Sequence, residues 1–144
     1  MEVRFAESDE EIRGCFPVMR ELRGHLSEEA FLDRVRSQQR DGYRLAFLEM
    51  DGSPVAVAGF RILETLASGR FLYVDDLVTL EAERSKGYGA QLLAWLRDRA
   101  ERESCAALEL DSGIQRKDAH RFYEREGLRL VGYHFAVELG SAAA

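Results

Sequence analysis

The chain has 144 residues, of which 46% are hydrophobic and 32% are charged, and its formal net charge is −6. This length suffices for one domain with a hydrophobic core and is too short for two, and the composition is that of a folded protein. No apolar run approaches the ~20 residues that a membrane-spanning helix needs. The negative charge argues against nucleic acid as a general partner, yet it leaves room for a local basic cluster that binds an anionic cofactor.

The chain lacks the signals of a leader, a disulfide scaffold and a metal site. Its first ten residues are acidic and strand-like, so we expect no signal peptide. Cys15 and Cys105 are too few for a disulfide scaffold, which predicts two reduced thiols in a cytoplasmic protein. The histidines have no metal-ligand spacing with the cysteines, so no metal is expected. We interpret residues 1–140 as a single domain and residues 141–144 as a tail.

The N-terminal quarter is predicted to contain one strand and two helices. Weak alternation over residues 3–6 indicates the strand. Ser8 and Glu11 form a capping-box pattern at the start of the first helix. Pro17 predicts a kink or a break within that helix, and Gly24 is expected to end it. A second helix begins after the N-cap Ser27, with its apolar stripe at Phe31, Leu32 and Val35.

Three strands are predicted next, as an antiparallel meander at Tyr43–Met50, Val55–Leu63 and Phe71–Thr79. The dipeptide Asp51-Gly52 lies between the first two strands. Asp-Gly between two apolar runs is a strong hairpin signal, because both residues accept the positive φ that a tight hairpin turn requires. The predicted turn between the second and third strands lies at residues 65–69.

The remaining elements alternate between helix and strand. From Ala90 onward apolar residues recur at helical spacing, and a short strand follows at residues 106–111. A strand–helix–strand connection of this length favours a parallel strand pair with a right-handed crossover. A last helix is predicted from about Lys117 to Glu126, with Gly127 just beyond its end. A final strand at Leu130–Leu139 is expected to close the sheet of one mixed α/β domain.

The loop RSKGYG, residues 84–89, joins the third strand of the meander to the helix that follows. Its two glycines let the backbone approach a ligand closely. Unpaired N–H groups and the positive end of the helix dipole meet at such a helix start, which favours a bound anion such as phosphate. Arg84 and Lys86 add positive charge. The loop matches neither the Walker P-loop nor the G-x-G-x-x-G fingerprint, and by itself it could equally be a tight turn.

Two motifs taken together resemble those of the GNAT superfamily of acyl-CoA-dependent N-acetyltransferases. The R-x-x-G-x-G of the loop is similar to the pyrophosphate-binding motif of that family, and the A-x-x-F-Y-E-x-x-G-L that starts at Ala119 is similar to its second signature. The resemblance extends from about Phe5 to Leu139. It implies an α/β (α+β mixed sheet) GNAT fold: a central, mostly antiparallel sheet with one parallel, splayed strand pair, flanked by helices.

The resemblance also implies how acetyl-CoA (coenzyme A) would bind. The strands at 71–79 and 106–111 would splay apart to admit the cofactor arm, and backbone groups at 77–79 would contact the arm and the thioester oxygen. Family members often carry asparagine at the position of Arg116. The cofactor-binding residues implied in this way are Leu77, Val78, Thr79, Arg84, Ser85, Lys86, Gly87, Tyr88, Gly89, Ala90, Arg116, Ala119 and Phe122.

Acetyl transfer to an amine needs a neutral amine and a proton for the departing thiolate. The resemblance assigns the second task to Tyr123 as general acid, although its helical position also suits a core aromatic residue. Asp75 and Asp76 lie mid-strand, where acidic residues are uncommon. One of them is expected to bind or deprotonate the amine, directly or through water; the alternative is a strand-end charge or a partner for a nearby arginine. The residues decide neither between these alternatives nor between the two aspartates. Lesser candidates are His120, Asp111, Glu49 and Glu138.

We therefore predict an acetyl-CoA-dependent N-acetyltransferase that acts on a primary amine of a small molecule or protein by direct attack in a ternary complex. The alternatives are a CoA sensor that keeps the fold without turnover, and an interaction domain without cofactor. The mid-strand acidic residues suggest a cationic amine as acceptor, while Arg20, Arg23 or His25 could bind an acceptor carboxylate. Besides acetyl-CoA and the amine we expect no nucleic-acid or membrane partner, and a monomer or homodimer.

Overall fold

The structure is a computed structural model that describes residues 2–140, in two compact units that meet in sequence between Leu110 and Asp111. The tail expected at 141–144 lies outside the described residues, and the single domain at 1–140 stays a prediction. The first unit contains β1 (Val3–Phe5), α1 (Asp9–Gly14), α2 (Phe16–Met19), α3 (Glu28–Gln39), β2 (Arg44–Met50), β3 (Ser53–Thr65), β4 (Gly69–Thr79), α4 (Tyr88–Arg102) and β5 (Ala107–Leu110). The second unit contains α5 (Lys117–Arg125). No helix in the described part of the chain is long and apolar enough to cross a membrane.

The five strands of the first unit form one sheet in the order β1-β2-β3-β4-β5. The pairs from β1 to β4 are antiparallel, whereas β4 and β5 are parallel. A parallel pair needs a long connection, and α4 supplies it. The predicted fold class, a mostly antiparallel sheet with one parallel pair and flanking helices, is confirmed.

The hairpin between β2 and β3 forms where the sequence predicted it. Asp51 and Gly52 have φ angles of 51° and 80°, and Met50 pairs directly with Ser53 across the two-residue turn. Positive φ at both turn residues is the geometry whose twist matches that of the two strands. The Asp-Gly dipeptide therefore sets the register of this hairpin.

The first predicted helix is divided in two. Ser8 and Glu11 form the capping box at the start of α1, and the break at Cys15 places Pro17 in the first turn of α2. The prediction that the helix ends at Gly24 is wrong, because α2 ends at Met19. Beyond Met19, the N–H groups of Glu21 and Leu22 bond to carbonyl oxygens three residues earlier, which tightens the chain into a turn.

Both faces of the sheet are covered by helices. The side chains of Leu45, Phe47 and Val57 belong to one core cluster with apolar residues of α1, α2 and α3. Side chains alternate between faces along a strand. On the other face the ring of Phe60 lies 5.9 Å from that of Trp95 on α4. A ligand site in this unit must therefore open at a strand end or between a helix and the sheet.

The second unit confirms its predicted helix but not the predicted final strand. Gly127 has a φ of 94°, as expected for the residue just beyond the end of α5. The strand predicted at Leu130–Leu139 is wrong, since the structure describes no helix or strand there and Phe135 is 90% exposed. Alternation of apolar side chains expresses a preference for a strand, but a strand also needs hydrogen bonds to a neighbour.

Candidate active site

A β-bulge on β4 organises the candidate site. Gly59 of β3 pairs with Asp76, but the next residue, Phe60, pairs with Val74, so Asp75 has no partner of its own on β3. A bulge of this kind bends the strand and re-aims the side chains around it. The strict alternation of the two aspartates is disturbed here, and they contact different sets of residues.

The bulge also marks the point where β4 and β5 part. Their parallel pairing runs from Phe71 with Ala107 to Val74 with Leu110 and stops there. From residue 76 to residue 79, β4 remains paired with β3 and has no β5 partner within the described chain. Backbone groups on that side of β4 are thus available to a ligand, and this free edge includes the predicted residues Leu77, Val78 and Thr79.

Both carboxylate oxygens of Asp75 are bound by one arginine. The Arg61 guanidinium donates from Nε and Nη2 to the two carboxylate oxygens of Asp75 at 2.9 and 2.7 Å. Burial raises the pKa of the Asp75 carboxyl, and the Arg61 pair opposes that shift. A bidentate pair of this kind holds both oxygens in a fixed direction. Asp75 therefore resembles a structural anchor of the bulge more than an open base.

Asp76 is held by two different donors. The Tyr43 hydroxyl donates to Oδ2 of Asp76 at 2.8 Å, and Nε of Arg23 donates to Oδ1 at 2.9 Å. Nη2 of Arg23 also donates to the backbone carbonyl of Asp75 at 2.9 Å, so the arginine binds the bulge itself. Burial, followed by the nearby Asp76 charge, raises the pKa of the Tyr43 phenol well above its ordinary value. Tyr43 thus stays a hydrogen-bond donor throughout the physiological pH range.

Gly59 makes the contact between Tyr43 and Asp76 possible. A Cβ at this position would lie 1.8 Å from the Tyr43 hydroxyl oxygen and 2.7 Å from Oδ2 of Asp76. The sequence analysis missed both Gly59 and Tyr43 as site residues. A glycine inside an apolar strand is a known sign of a close approach, and it was the one available signal for Gly59.

We expect Gly59→Ala to destabilise the protein by ~1–3 kcal/mol, because the added methyl forces the buried Tyr43 ring off Asp76. Urea unfolding of the variant measures this loss. Gly14→Ala is the matched control, since a Cβ at Gly14 meets nothing within 4 Å. Equal stability of the two variants would show that the Tyr43 pocket is loose enough to accept a methyl group.

A cavity of about 280 Å³ lies against Asp76. Its polar lining residues are Arg23, His25, Arg34, Gln38, Tyr43 and Asp76, and the rest of its wall is apolar. Asp76 lines this cavity, whereas Asp75 and Arg20 are not among its lining residues. The volume is just below the ~300–1,000 Å³ that is common for small-molecule sites. The arrangement distinguishes the two aspartates, which the sequence alone did not.

The predicted anion-binding loop has the backbone geometry of such a site. Gly87 has a φ of 86° and is the N-cap of α4, and Ser85 also has a positive φ of 67°. The N–H groups at 88–90, in the first turn of α4, have no acceptor within the helix. Alternating backbone conformations of this kind direct successive N–H groups into a concavity that suits an anion.

The side chains of this loop contribute unequally. Lys86 is paired with Glu83 at 2.7 Å, so part of its charge is already neutralised. Arg84 is exposed, and its side chain makes no ion pair or hydrogen bond with any residue that the structure describes. Tyr88 is only 8% exposed and packs in the core, so its backbone N–H is what it offers a ligand.

The loop before α4 and the free edge of β4 fit coenzyme A as a ligand. A concave row of N–H groups at a helix N-terminus suits its diphosphate, and the free edge of β4 suits an extended arm that contains amide groups. The residues that would hold it in this unit are those of the free edge and of the loop, at positions 77–79 and 84–90.

The second unit contains the predicted general acid. Burial raises the pKa of the Tyr123 phenol, while the charge of Arg116 and its hydrogen bond to Tyr123 act in the opposite direction. Arg116 thus contacts Tyr123, a role that the sequence analysis did not foresee. The Phe122 and Tyr123 rings lie 5.4 Å apart, and Ala119 lies on the same helix.

Three of the four lesser candidates make polar contacts with other side chains or with the backbone. His120 Nε2 lies 2.8 Å from the carbonyl oxygen of Gly113, a short-range polar contact. Glu49 is paired with Arg4 at 3.3 Å, and Asp111 lies 3.8 Å from His134. Glu138 lies in the exposed C-terminal segment.

Within residues 2–140, no group of three or more His, Cys, Asp or Glu residues is arranged to hold a metal ion, and both cysteines are free.

Comparisons with known proteins agree with this geometry. A family model described as "Acetyltransferase (GNAT) family" matches residues 6–128. The Bacillus subtilis (strain 168) protein "Uncharacterized N-acetyltransferase YhdJ" is 38% identical over 130 residues, which cover 89% of this chain and 92% of the relative. The aminoalkylphosphonate N-acetyltransferase of Salmonella typhimurium (strain LT2) is 32% identical over 122 residues, 82% of this chain and 78% of that protein. A solved aminoglycoside N-acetyltransferase, AAC(6')-Iy in complex with CoA, shares the fold with a TM-score of 0.83 and 14% identity, over 97% of this chain and 95% of that one.

Proposed function

Because this chain belongs to the GNAT family of acetyltransferases, we propose that it transfers the acetyl group of acetyl-CoA to a primary amine by direct attack in a ternary complex. The observation that carries the proposal is the free edge of β4, which begins at the bulge and is followed by the helix N-terminus that opens at Gly87. Acetyl-CoA supplies the acetyl group as a thioester, which is already activated towards an amine.

The residues at the free edge and the loop hold the donor in this proposal. N–H groups at 88–90 and the charge of Arg84 bind the diphosphate, and the backbone at 77–79 binds the arm and polarises the thioester carbonyl. Oriented N–H groups stabilise negative charge on that oxygen without any reorganisation during the reaction. In the second unit we assign Arg116, Ala119 and Phe122 to the cofactor arm.

Asp76 receives the amine in this proposal, and Asp75 supports it. The Asp76 carboxylate faces the cavity, and Arg23 and Tyr43 fix its direction while leaving lone pairs for a further donor. It accepts a hydrogen bond from the amine and passes the amine's proton to water. Asp75 and Arg61 hold the bulge that aims Asp76 into the cavity.

Tyr123 gives a proton from its hydroxyl oxygen to the departing sulfur in this proposal. Its raised pKa keeps the phenol protonated at neutral pH, which is the state that a general acid needs. Arg116 orients the phenol through its hydrogen bond and stabilises the phenolate that remains after the transfer.

The acceptor that we propose is a small primary amine. The Salmonella relative is named for aminoalkylphosphonates, which are small primary amines, and the cavity beside Asp76 has a volume of only about 280 Å³. A small molecule that fills a cavity of this size is a more suitable acceptor than the side chain of a large protein partner.

Binding and turnover test this proposal separately. A ligand that binds only the folded state at ~1,000 times its Kd stabilises that state by ~4 kcal/mol. We therefore expect acetyl-CoA to raise the Tm by several degrees, and ATP or NAD to raise it much less. An equal response to ATP would indicate a general nucleotide site instead.

Mass spectrometry of a panel of small amines incubated with acetyl-CoA and the protein measures turnover. We expect acetylated product and one equivalent of free thiol for each transfer. A clear Tm response without product from any amine would favour the CoA-sensor alternative.

A further inference from the structure

We propose that the cavity beside Asp76 selects amines that carry an acidic group at the end opposite the amine, and that Arg34 binds this acidic group. The inference rests on the proposed function, because it names the class of acceptor that the same site would take. That class is a small zwitterion: a primary amine with a carboxylate or a phosphonate.

The charges of the cavity lining are unbalanced. Three basic side chains, Arg23, His25 and Arg34, line it together with a single carboxylate, that of Asp76. Arg23 is already engaged with Asp76 at 2.9 Å. The cavity therefore has positive charge left over, and this favours a ligand with a negative group.

Arg34 is a cation of the cavity lining whose charge is not paired with any other described residue. It is half-buried on α3, and its side chain makes no ion pair or hydrogen bond with any other residue between 2 and 140. Arg36, two residues further along α3, is instead bound to Asp9 at 2.6 Å. A guanidinium is a planar fork of donors that matches carboxylate and phosphonate oxygens in a bidentate manner.

Two other lining residues, together with Arg34, form the end of the cavity that binds the acceptor's acidic group. Gln38 is four residues after Arg34, so the two side chains lie on the same face of α3, and both line the cavity. The amide of Gln38 adds two donors to those of the guanidinium. His25, which is exposed, lines the same cavity and adds ring nitrogen atoms that can form hydrogen bonds.

The position of Asp76 determines where the amine of the acceptor lies in the cavity. Asp76 directly precedes Leu77 on the free edge of β4, where the thioester would lie in the proposed function. An amine must reach that edge to react, so its cationic end is placed at the carboxylate. The acidic group of the acceptor then extends towards α3, where Arg34 and Gln38 lie. A cavity of about 280 Å³ restricts the chain between the two charged groups to a few atoms.

Matched acceptors and matched variants test this inference. The acceptors are β-alanine, aminoethylphosphonate and propylamine, of which only the last lacks an acidic group. The variants are Arg34→Gln, Arg34→Lys and Arg40→Gln. Arg40 is the matched control, because it is an exposed cation at the end of α3 and does not line the cavity. Isothermal calorimetry with CoA present measures acceptor binding independently of turnover.

We expect Arg34→Gln to raise KM about tenfold or more for the acidic acceptor that the native protein prefers, with kcat nearly unchanged. The same variant should leave propylamine unaffected, Arg34→Lys should recover part of the loss, and Arg40→Gln should behave as the native protein. The ratio between β-alanine and aminoethylphosphonate identifies which acidic group the site prefers. A native protein that prefers propylamine, or an Arg34→Gln variant that changes all three acceptors equally, would overturn the inference.

The inference and the proposed function fail in different ways. If calorimetry shows binding of an acidic amine that Arg34→Gln weakens, while no amine is acetylated, the acidic-amine site stands and acetyl transfer fails. If propylamine is acetylated as efficiently as the acidic amines, acetyl transfer stands and the selectivity fails. Absence of both binding and transfer overturns both.

Discussion

Tyr123→Phe is expected to lower kcat by ~100-fold and to leave the affinity for CoA nearly unchanged. In the proposed mechanism the phenol gives up its proton only as the thiolate departs, so its hydroxyl would matter in the transition state and hardly in the bound ground state. Burial raises the pKa of this phenol, which keeps the proton available at neutral pH. Steady-state rates at saturating amine, together with a CoA titration, measure the two quantities.

Tyr133→Phe is the control for this experiment, because Tyr133 lies in the same unit, is 78% exposed and has no role in the proposed chemistry. A melting curve of each variant separates catalysis from folding. If Tyr123 is only a core aromatic residue, its variant keeps full turnover and loses at most ~1–3 kcal/mol of stability, since Arg116 is left without its acceptor. Full turnover would mean that the thiolate leaves unassisted or takes its proton from water.

Gly89→Val is expected to weaken CoA binding by ~100-fold, which corresponds to the loss of one or two charge-assisted hydrogen bonds. Gly89 is the second residue of α4, where the backbone has free N–H groups. In the proposed binding mode, a branched side chain at this position would keep the CoA diphosphate away from those groups. Valine has a better helix propensity than glycine, so α4 itself is not expected to lose stability.

Calorimetric titration of CoA into the folded variant measures the loss. Gly14→Val is the control, since it adds the same side chain at the end of another helix, where a Cβ meets nothing within 4 Å. Unchanged CoA affinity in Gly89→Val, with the variant folded, would exclude the loop at residues 84–89 as the diphosphate site.

The local elements of this protein were predictable from its sequence. The Ser8 and Glu11 capping box, the Ser27 cap and the Asp51-Gly52 turn formed as expected, because each depends on residues within a few positions of one another. The same holds for the glycine-containing loop before α4, whose backbone geometry follows from its own residues. Element boundaries were less accurate, as the early end of α2 at Met19 shows.

Two failures show the limits of side-chain patterns. The alternating segment at 130–139 was predicted as a strand, but a pattern cannot supply the partner that backbone hydrogen bonds require. Asp75 and Asp76 could not be told apart, because one bulged residue on β4 changes the direction of the side chains around it.

What the sequence by itself determined is therefore the set of helices and turns, the mixed sheet, and the loop and signature motifs that resemble the GNAT family. Only the tertiary structure decided which residues surround Asp76. Tyr43 and Arg23 reach Asp76 across 33 and 53 residues of chain, and Gly59 leaves the space in which they meet. Contacts at such separations depend on how the segments that follow α2 and precede β2 pack against β3 and β4. No local period or motif in the sequence encodes that packing.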